Sequence, residues 1–310
     1  MAHADDFRSR LKIWLLEMRV PFFTAVIVPT ILGTAFAWYE AGAFSPGLFV
    51  LTLGGLVFLH AGANVVNDYF DFRNGTDRVN KNRSPFNGGS PFILDGTLTA
   101  RQVYRAALGF FVAGSLIGIY LAIEVSYLVL VLGIAGVATG FFYTSPRVNL
   151  ARRGIGEVAL GLAFGPIIVS GTYLVQTGEI TLASFLIGLP VGLLIGLVLF
   201  VNQFPDMEAD RTAGKTHWVV RMGLQRASRW YAGLMVATFS TILALWAIDL
   251  YPPLVLLALV PALMAAKAAK VVLDKHLIFK DLLPAQAMTI QVHMMVGLLL
   301  SAGFLLSALL

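Results

Sequence analysis

Two runs of amide and carboxylate side chains could do chemistry. The first reads Asn64-Val-Val-Asn67-Asp68-Tyr-Phe-Asp71, with Asp77 six residues further on. The second reads Asn202-Gln-Phe-Pro-Asp206-Met-Glu-Ala-Asp210. Helix positions i, i+3, i+4 and i+7 share a face, so Asn64, Asn67, Asp68 and Asp71 project their oxygens together. Asn202, Asp206 and Asp210, spaced by four, cover an arc of about 80°. Asp77 follows Gly75 and can fold back onto the first run. Carboxylates packed this closely repel one another and hold protons unless a cation joins them. Hard oxygen ligands, with no cysteine in the chain and no histidine in either run, favour Mg²⁺ or Mn²⁺ over zinc. Mg²⁺ commonly takes one or two carboxylates and completes its shell with water and substrate phosphate. Two such clusters facing each other can therefore hold Mg²⁺ around a diphosphate. A lone D-x-x-x-D is better explained as a solvated helix cap. Here two runs recur, each begun by an Asn inside an apolar stretch and each followed by cations.

Those cations are Arg73, Arg78, Lys81 and Arg83 after the first run, and Arg211, Lys215 and Arg221 after the second. Tyr143-Thr-Ser-Pro-Arg147 closes another apolar stretch. A departing diphosphate needs its developing charge spread over metals and Arg or Lys donors. Arg83, Arg147 and Lys215 are the expected substrate contacts, with Arg211 and Tyr143 beside them. The remaining basic residues read as anchors to anionic headgroups.

The elements that position these groups are membrane spans. The chain has 310 residues, 58% hydrophobic and 13% charged, with mean hydropathy +0.80; soluble domains carry about 25% charged residues. A crossing needs about 20 apolar residues. Nine stretches qualify, near 21–39, 47–66, 104–122, 126–144, 155–176, 183–204, 229–249, 251–272 and 288–310. Tyr251-Pro252-Pro253 separates the seventh from the eighth, since proline removes helix hydrogen bonds. The Lys and Arg residues lie before the first stretch, or in and beside the connections after the second, fourth, sixth and eighth. The opposite connections hold Glu40, Glu124, Glu179 and Asp249. The positive-inside bias predicts a cytoplasmic N-terminus, an external C-terminus and both acidic runs at the cytoplasmic face. It also accounts for the pI of 9.5 without nucleic acid, for which no recognised module is present.

The fold expected is all-α, one domain over 1–310, with nine transmembrane helices. The long cytoplasmic connections, about 67–103 and 205–228, cap it. Thr99-x-x-Gln102 reads as a capping box opening the third span. Prolines aside, the two acidic runs echo each other four spans apart.

Asn67-Asp-Tyr-Phe-Asp71 and Asp206-Met-Glu-Ala-Asp210-Arg-x-Ala-Gly-Lys215 resemble the two signature motifs of the UbiA superfamily of membrane aromatic prenyltransferases. Asn64 to Gly75, Phe164 to Gly178, and Lys215 through Val219-Val-Arg-Met-Gly223 are similar to its menaquinone branch, the 1,4-dihydroxy-2-naphthoate polyprenyltransferases. The resemblance implies helices around a central cavity under a cytoplasmic cap, with an opening toward the bilayer for a prenyl tail. It implies Mg²⁺ held by Asn67, Asp71 and Asp77 on one side and by Asp206 and Asp210 on the other, with Tyr143 and Arg147 near the diphosphate. Asp68, Asp71, Asp206, Asp210 and Arg147 are the catalytic set on this basis. The partners implied are an isoprenyl diphosphate, an aromatic acceptor and the lipid bilayer of the cytoplasmic membrane. Asp77 lies at the menaquinone-branch spacing, while Trp218 and the loop Asn87-Gly-Gly-Ser90 depart from the pattern. The acceptor stays open among dihydroxynaphthoate, hydroxybenzoate, homogentisate, chlorophyllide and a glycerol phosphate lipid.

The expected reaction draws diphosphate away from an allylic carbon in a water-poor cavity walled by aromatic rings, which attract the cation formed. The electron-rich acceptor ring attacks, then loses a proton or carbon dioxide. His60, one helical turn before Asn64, is a candidate to take the proton. Arg19, opening the first span, is a candidate for an acceptor carboxylate. A cation-coupled transporter would place such acids near the bilayer midplane in broken helices. An alcohol phosphotransferase would place them in one motif. Neither pattern fits two clusters at one face.

Overall fold

The computed structural model describes residues 2–310, with side chains from residue 8 on. Among these residues the regular structure is helical, apart from one isolated bridge between Ser84 and Asn87. In chain order the long helices are α1 (Ala2–Glu17), α2 (Val20–Ala41), α3 (Pro46–Asn74), α4 (Ala100–Glu124), α5 (Leu128–Phe142), α6 (Gly156–Thr177), α7 (Leu182–Thr212), α8 (Leu224–Ala247), α9 (Pro253–Lys275) and α10 (Phe279–Ala308); single-turn helices at Thr76–Val79, Leu150–Arg153 and Trp218–Met222 lie in the connections. Eight of them, α2 to α4 and α6 to α10, are long and apolar enough to cross a membrane. The fourth expected span, α5, has only 15 residues, about 22 Å of helix. Its helix stops at Phe142, where the Tyr143-Thr-Ser-Pro turn begins, so it falls short of the hydrocarbon thickness.

Local signals set the boundaries. Ser45 accepts a hydrogen bond from the Leu48 N–H and Pro46 fills the first helical position, fixing the start of α3. Gly75, with φ +82°, ends it in a left-handed conformation that costs glycine little. Thr99 and Gln102 form the expected reciprocal capping box at the start of α4. The acidic ends of α3 and α7 stay helical further than expected, to Asn74 and Thr212. That continuity keeps the carboxylates in helical register. The Tyr251-Pro252-Pro253 break appears as a turn between α8 and α9.

Two cores divide the bundle. The larger joins α2, α7, α8, α9 and α10 around Leu32, Leu194, Phe200, Tyr231 and Phe304. The smaller joins α3 and α4 through Val65, Val66, Phe70, Val103, Ala107 and Phe111, with Trp14 of α1 packed against it. Val169 and Tyr173 of α6 also belong to the larger core, and α6 contains a π-helical turn at Ala163–Ile167 around Pro166. There Gly165 lies against the backbone of Gly192 so closely that any Cβ would overlap it. Small residues allow such backbone contact between membrane helices. Phe164, within this turn, lines the interior of the bundle, and π turns frequently mark functional sites.

Candidate active site

The ends of α3 and α7, Arg19 just before α2, Tyr143 just after α5 and the segment following α7 converge on one cavity of about 240 Å³. Its wall includes Asn64, Asn67, Asp71 and Asp77 from the first run and Asn202, Asp206 and Asp210 from the second. The two acidic runs therefore face each other. Lys215 joins them: its Nζ lies 2.9 Å from Asp71 Oδ1 and 3.2 Å from Asp210 Oδ1. Its backbone N–H also donates to the Asp210 carbonyl at 2.8 Å, closing α7. Gly214 permits that reversal, at φ +76°.

Each other carboxylate is held by specific partners. Asp206 Oδ1 accepts from Asn80 Nδ2 at 2.8 Å and from Asn87 Nδ2 at 2.6 Å. Asp77 pairs with Arg83 at 3.4 Å. Asp68 pairs with Arg19 and accepts the Ser90 backbone N–H at 3.1 Å. Ser90 in turn donates its hydroxyl to Glu17, at the end of α1. His217 Nε2 lies 3.0 Å from Asp210 Oδ2, while its Nδ1 accepts the Val220 N–H at 3.4 Å. The backbone bond fixes the tautomer: Nε2 carries the proton and donates it to Asp210. Gly89, with φ +68°, brings the loop over the acids; a Cβ there would lie 2.9 Å from Asp68 Oδ1 and 3.2 Å from the Arg19 guanidinium.

Charge sets the protonation around the rim. Burial alone would push the Lys215 ammonium down, but Asp71 and Asp210 outweigh it and hold the group up. Burial raises the Asp77 carboxyl to about 8, with Asp71 and Asp68 pushing the same way. Burial also raises Glu17 to about 7, helped by Asp68. These are the responses of crowded acids in a site with too little positive charge.

The candidates from sequence thus divide. Asn64, Asn67, Asp71, Asp77, Tyr143, Asn202, Asp206, Asp210, Lys215, Arg19 and His60 all line the cavity. Asp68 does not; Arg19 and the Ser90 N–H occupy its oxygens. Arg83 stands behind Asp77 and also donates to the Asp77 carbonyl at 2.8 Å. Arg147 is exposed and off the cavity wall, and Arg211 is exposed and pairs with Glu208 at 3.7 Å. Asn80, His217 and Glu17 were not singled out from the sequence, and Asn87 stood out only as part of a loop that departs from the family pattern. His217 carries a signal in retrospect, because it lies seven residues after Asp210 on the segment that must fold back over that residue. Among the described residues no three Asp, Glu or His side chains converge on a point. The acids are instead distributed around the wall.

A second cavity, of about 140 Å³, adjoins the first. It lies among α3, α4, α5 and α6, and its wall is almost wholly apolar, with glycines such as Gly55, Gly118 and Gly136 giving a smooth surface. His60, Ala63, Gly140 and Phe164 line both cavities. The aromatic wall is sparser than expected from composition: Phe22, Phe86, Tyr143 and Phe164 line the polar cavity, while rings such as Phe36, Phe200 and Phe304 are buried in the helix packing.

The model of the UbiA prenyltransferase family matches residues 26–277. The 1,4-dihydroxy-2-naphthoate octaprenyltransferase of Bacillus subtilis (strain 168) is 25% identical over 295 residues, covering 95% of this chain and 92% of the relative. A UbiA homolog from Aeropyrum pernix K1, in its apo structure, superposes with TM-score 0.65 at 18% identity, over 89% of this chain and 96% of that one. A UbiA homolog from Archaeoglobus fulgidus, bound to GPP and Mg²⁺, superposes with TM-score 0.59 at 14% identity, over 93% and 99% of the two chains. The family match spans both acidic runs, α3 and α7 bring those runs together as the motif resemblance requires, and the chain is a membrane prenyltransferase belonging to the UbiA family.

Proposed function

We propose that this enzyme transfers a polyprenyl group from an isoprenyl diphosphate to 1,4-dihydroxy-2-naphthoate, in menaquinone biosynthesis, at the cytoplasmic face of the cell membrane. One observation carries the reading: a cavity ringed by carboxylates and Lys215 adjoins an apolar one, with four residues lining both. An amphiphile with a diphosphate head and a hydrocarbon tail matches that division. The acceptor assignment is supported by the naphthoate-specific name of the Bacillus subtilis relative and by Arg19, a cation on the wall suited to an acceptor carboxylate.

The donor set fits Mg²⁺. The Oδ1 atoms of Asn67 and Asn202 are buried with no hydrogen-bond partner, although buried oxygens are almost always satisfied. With Asp71 and Asp77 on one side and Asp206 and Asp210 on the other, they supply hard oxygen ligands, leaving room for phosphate oxygens to complete the shell. Bound there, Mg²⁺ supplies Lewis acidity toward the diphosphate leaving group. The protein's own residues do the rest. Lys215 presents a permanent positive charge to the same leaving group. Asn80 and Asn87 hold Asp206, and His217 holds Asp210, so neither carboxylate has to reorganise when the donor arrives. The loop through Gly88 and Gly89 covers the cavity and limits water.

The two sides of the assignment are tested together. Purified protein is incubated with geranylgeranyl diphosphate, Mg²⁺ and each of dihydroxynaphthoate, hydroxybenzoate, homogentisate and chlorophyllide, and product masses are read. The expected result is prenylated naphthoate, with loss of carbon dioxide. Transfer only to another acceptor would replace the naphthoate assignment, and transfer to none would remove the function.

A further inference from the structure

This inference rests on the proposed reaction and names a residue that completes it. A prenyl diphosphate with its head among the acids and its tail in the apolar cavity carries its reacting carbon at the joint between the two. That joint is walled by His60, Ala63, Gly140 and Phe164. Three of these present only hydrocarbon. His60 alone has atoms that exchange a proton.

The imidazole is buried, and its Nδ1 has no hydrogen-bond partner. The ring is packed between Phe164, edge-on at 5.0 Å between centroids, and Phe23, tilted at 5.7 Å. Phe164 lies in the π turn of α6 and lines both cavities, so two elements meet at this one point. Helical spacing puts His60 on the stripe of α3 that continues through Asn64, Asn67 and Asp71. The other histidine of the cavity, His217, has both ring nitrogens engaged, by Asp210 and by the Val220 N–H. The nearby acids are committed to Lys215, Arg83 or the Asn80 and Asn87 amides. The charged and polar groups that bear on His60 are Arg19 and Asn64.

We propose that His60 is the catalytic residue that receives the proton lost by the acceptor ring. The carbon–oxygen bond of the donor breaks, and its electron pair leaves on the diphosphate. A ring carbon of the acceptor forms the new carbon–carbon bond with a π pair. The C–H bond at that carbon then breaks; its electrons restore the aromatic ring and its proton passes to the imidazole. The carboxylate on the neighbouring ring carbon leaves as carbon dioxide, and the electron pair left on that carbon takes the proton back from the imidazolium. No oxidant or reductant takes part.

The test uses the full-length protein in detergent, with His60→Gln, His60→Phe and His60→Gly variants. Thermal unfolding and Mg²⁺-dependent binding of a non-reactive prenyl thiodiphosphate are measured alongside transfer to dihydroxynaphthoate carrying hydrogen or deuterium at the prenylated carbon. The expected result for His60→Gln is intact folding and donor binding, with kcat reduced about 10²- to 10⁴-fold, the range of general-base contributions. A deuterium effect absent from the wild type should emerge, and added imidazole should restore part of the rate of His60→Gly. If His60→Gln keeps the wild-type kcat without a deuterium effect, the role of His60 is overturned while the reaction stands. Lost donor binding in both His60→Gln and His60→Phe also overturns it, by making His60 part of the donor site. A wild-type enzyme that prenylates no aromatic acceptor overturns the reaction itself and this role with it.

Discussion

The Nζ of Lys215 lies 2.9 Å from Asp71, a residue of a separate helix and of the other acidic run. With Asp210 at 3.2 Å on its far side, this ammonium is the cation that lets two buried carboxylates approach before any metal arrives. Lys215→Met should therefore destabilise the metal-free protein by about 3 kcal/mol, the scale for stripping one partner from a buried ion pair. Thermal unfolding in EDTA should show the deficit, and saturating Mg²⁺ should narrow it. An equal deficit with and without Mg²⁺ would mean that lysine and metal do not share the same charges.

Asp71→Ala and Asp206→Ala should each lower prenyl transfer at least about a hundredfold, the scale for removing one group that stabilises developing charge. Expression and helical content should be preserved. Chelation should stop the wild type and Mg²⁺ restart it. Full activity in either variant, read as product mass from purified protein, would refute the metal-binding role of that residue.

The pH dependence of Mg²⁺ binding follows from Asp77. Burial, then Asp71 and Asp68, raises its carboxyl from the ordinary 3.8 to about 8 in the folded protein. Between those values the folded chain holds a proton that the unfolded chain has released, so this group makes metal-free stability fall as pH rises across that window. Divalent metal requires the deprotonated form, and binding displaces the proton. Apparent Mg²⁺ affinity should rise about tenfold per pH unit up to about pH 8 and then level off. Titration calorimetry at several pH values reads the slope, and Asp77→Asn should flatten it.

Gly140 faces Ala63 across the joint between the cavities; a Cβ on Gly140 would lie 3.0 Å from the Ala63 Cβ. Gly140→Leu should obstruct the passage from head site to tail site. Turnover of long-chain donors should fall much further than turnover of dimethylallyl diphosphate, which has little tail to thread. Equal losses for both, with folding intact, would place the tail elsewhere.

Gly89 combines φ +68° with close approach to Asp68 and Arg19. Gly89→Ala should cost about 1–2 kcal/mol from the left-handed backbone alone. It should also raise KM for the donor, because the loop can no longer settle over the acids. An unchanged KM would separate the loop from donor binding.

Much of this was legible in the sequence because it depends on local spacing. The helical register of Asn64, Asn67 and Asp71, the capping box at Thr99 and the break at Pro252-Pro253 follow from residues within one or two turns of each other. The short α5 was not legible, since hydropathy runs on past Phe142 into a turn that breaks the helix. The fate of Asp68 was also hidden. Its register matches that of Asp71, but Arg19 and Ser90 claim it through pairings set by tertiary packing. The same limit applies to Asn80 and Asn87, whose hydrogen bonds to Asp206 form only when the loop folds onto it. Arg147 and Arg211 carry the right charge in the right connections, yet their side chains are exposed outside the cavity wall.

The hydroxyl of Ser90 bonds to Glu17, so the loop through Gly88 and Gly89 at the polar cavity is tethered to the end of α1. Anything that moves that end acts on the loop. Displacing Glu17 should therefore loosen that loop well before it disturbs the packing of the helices.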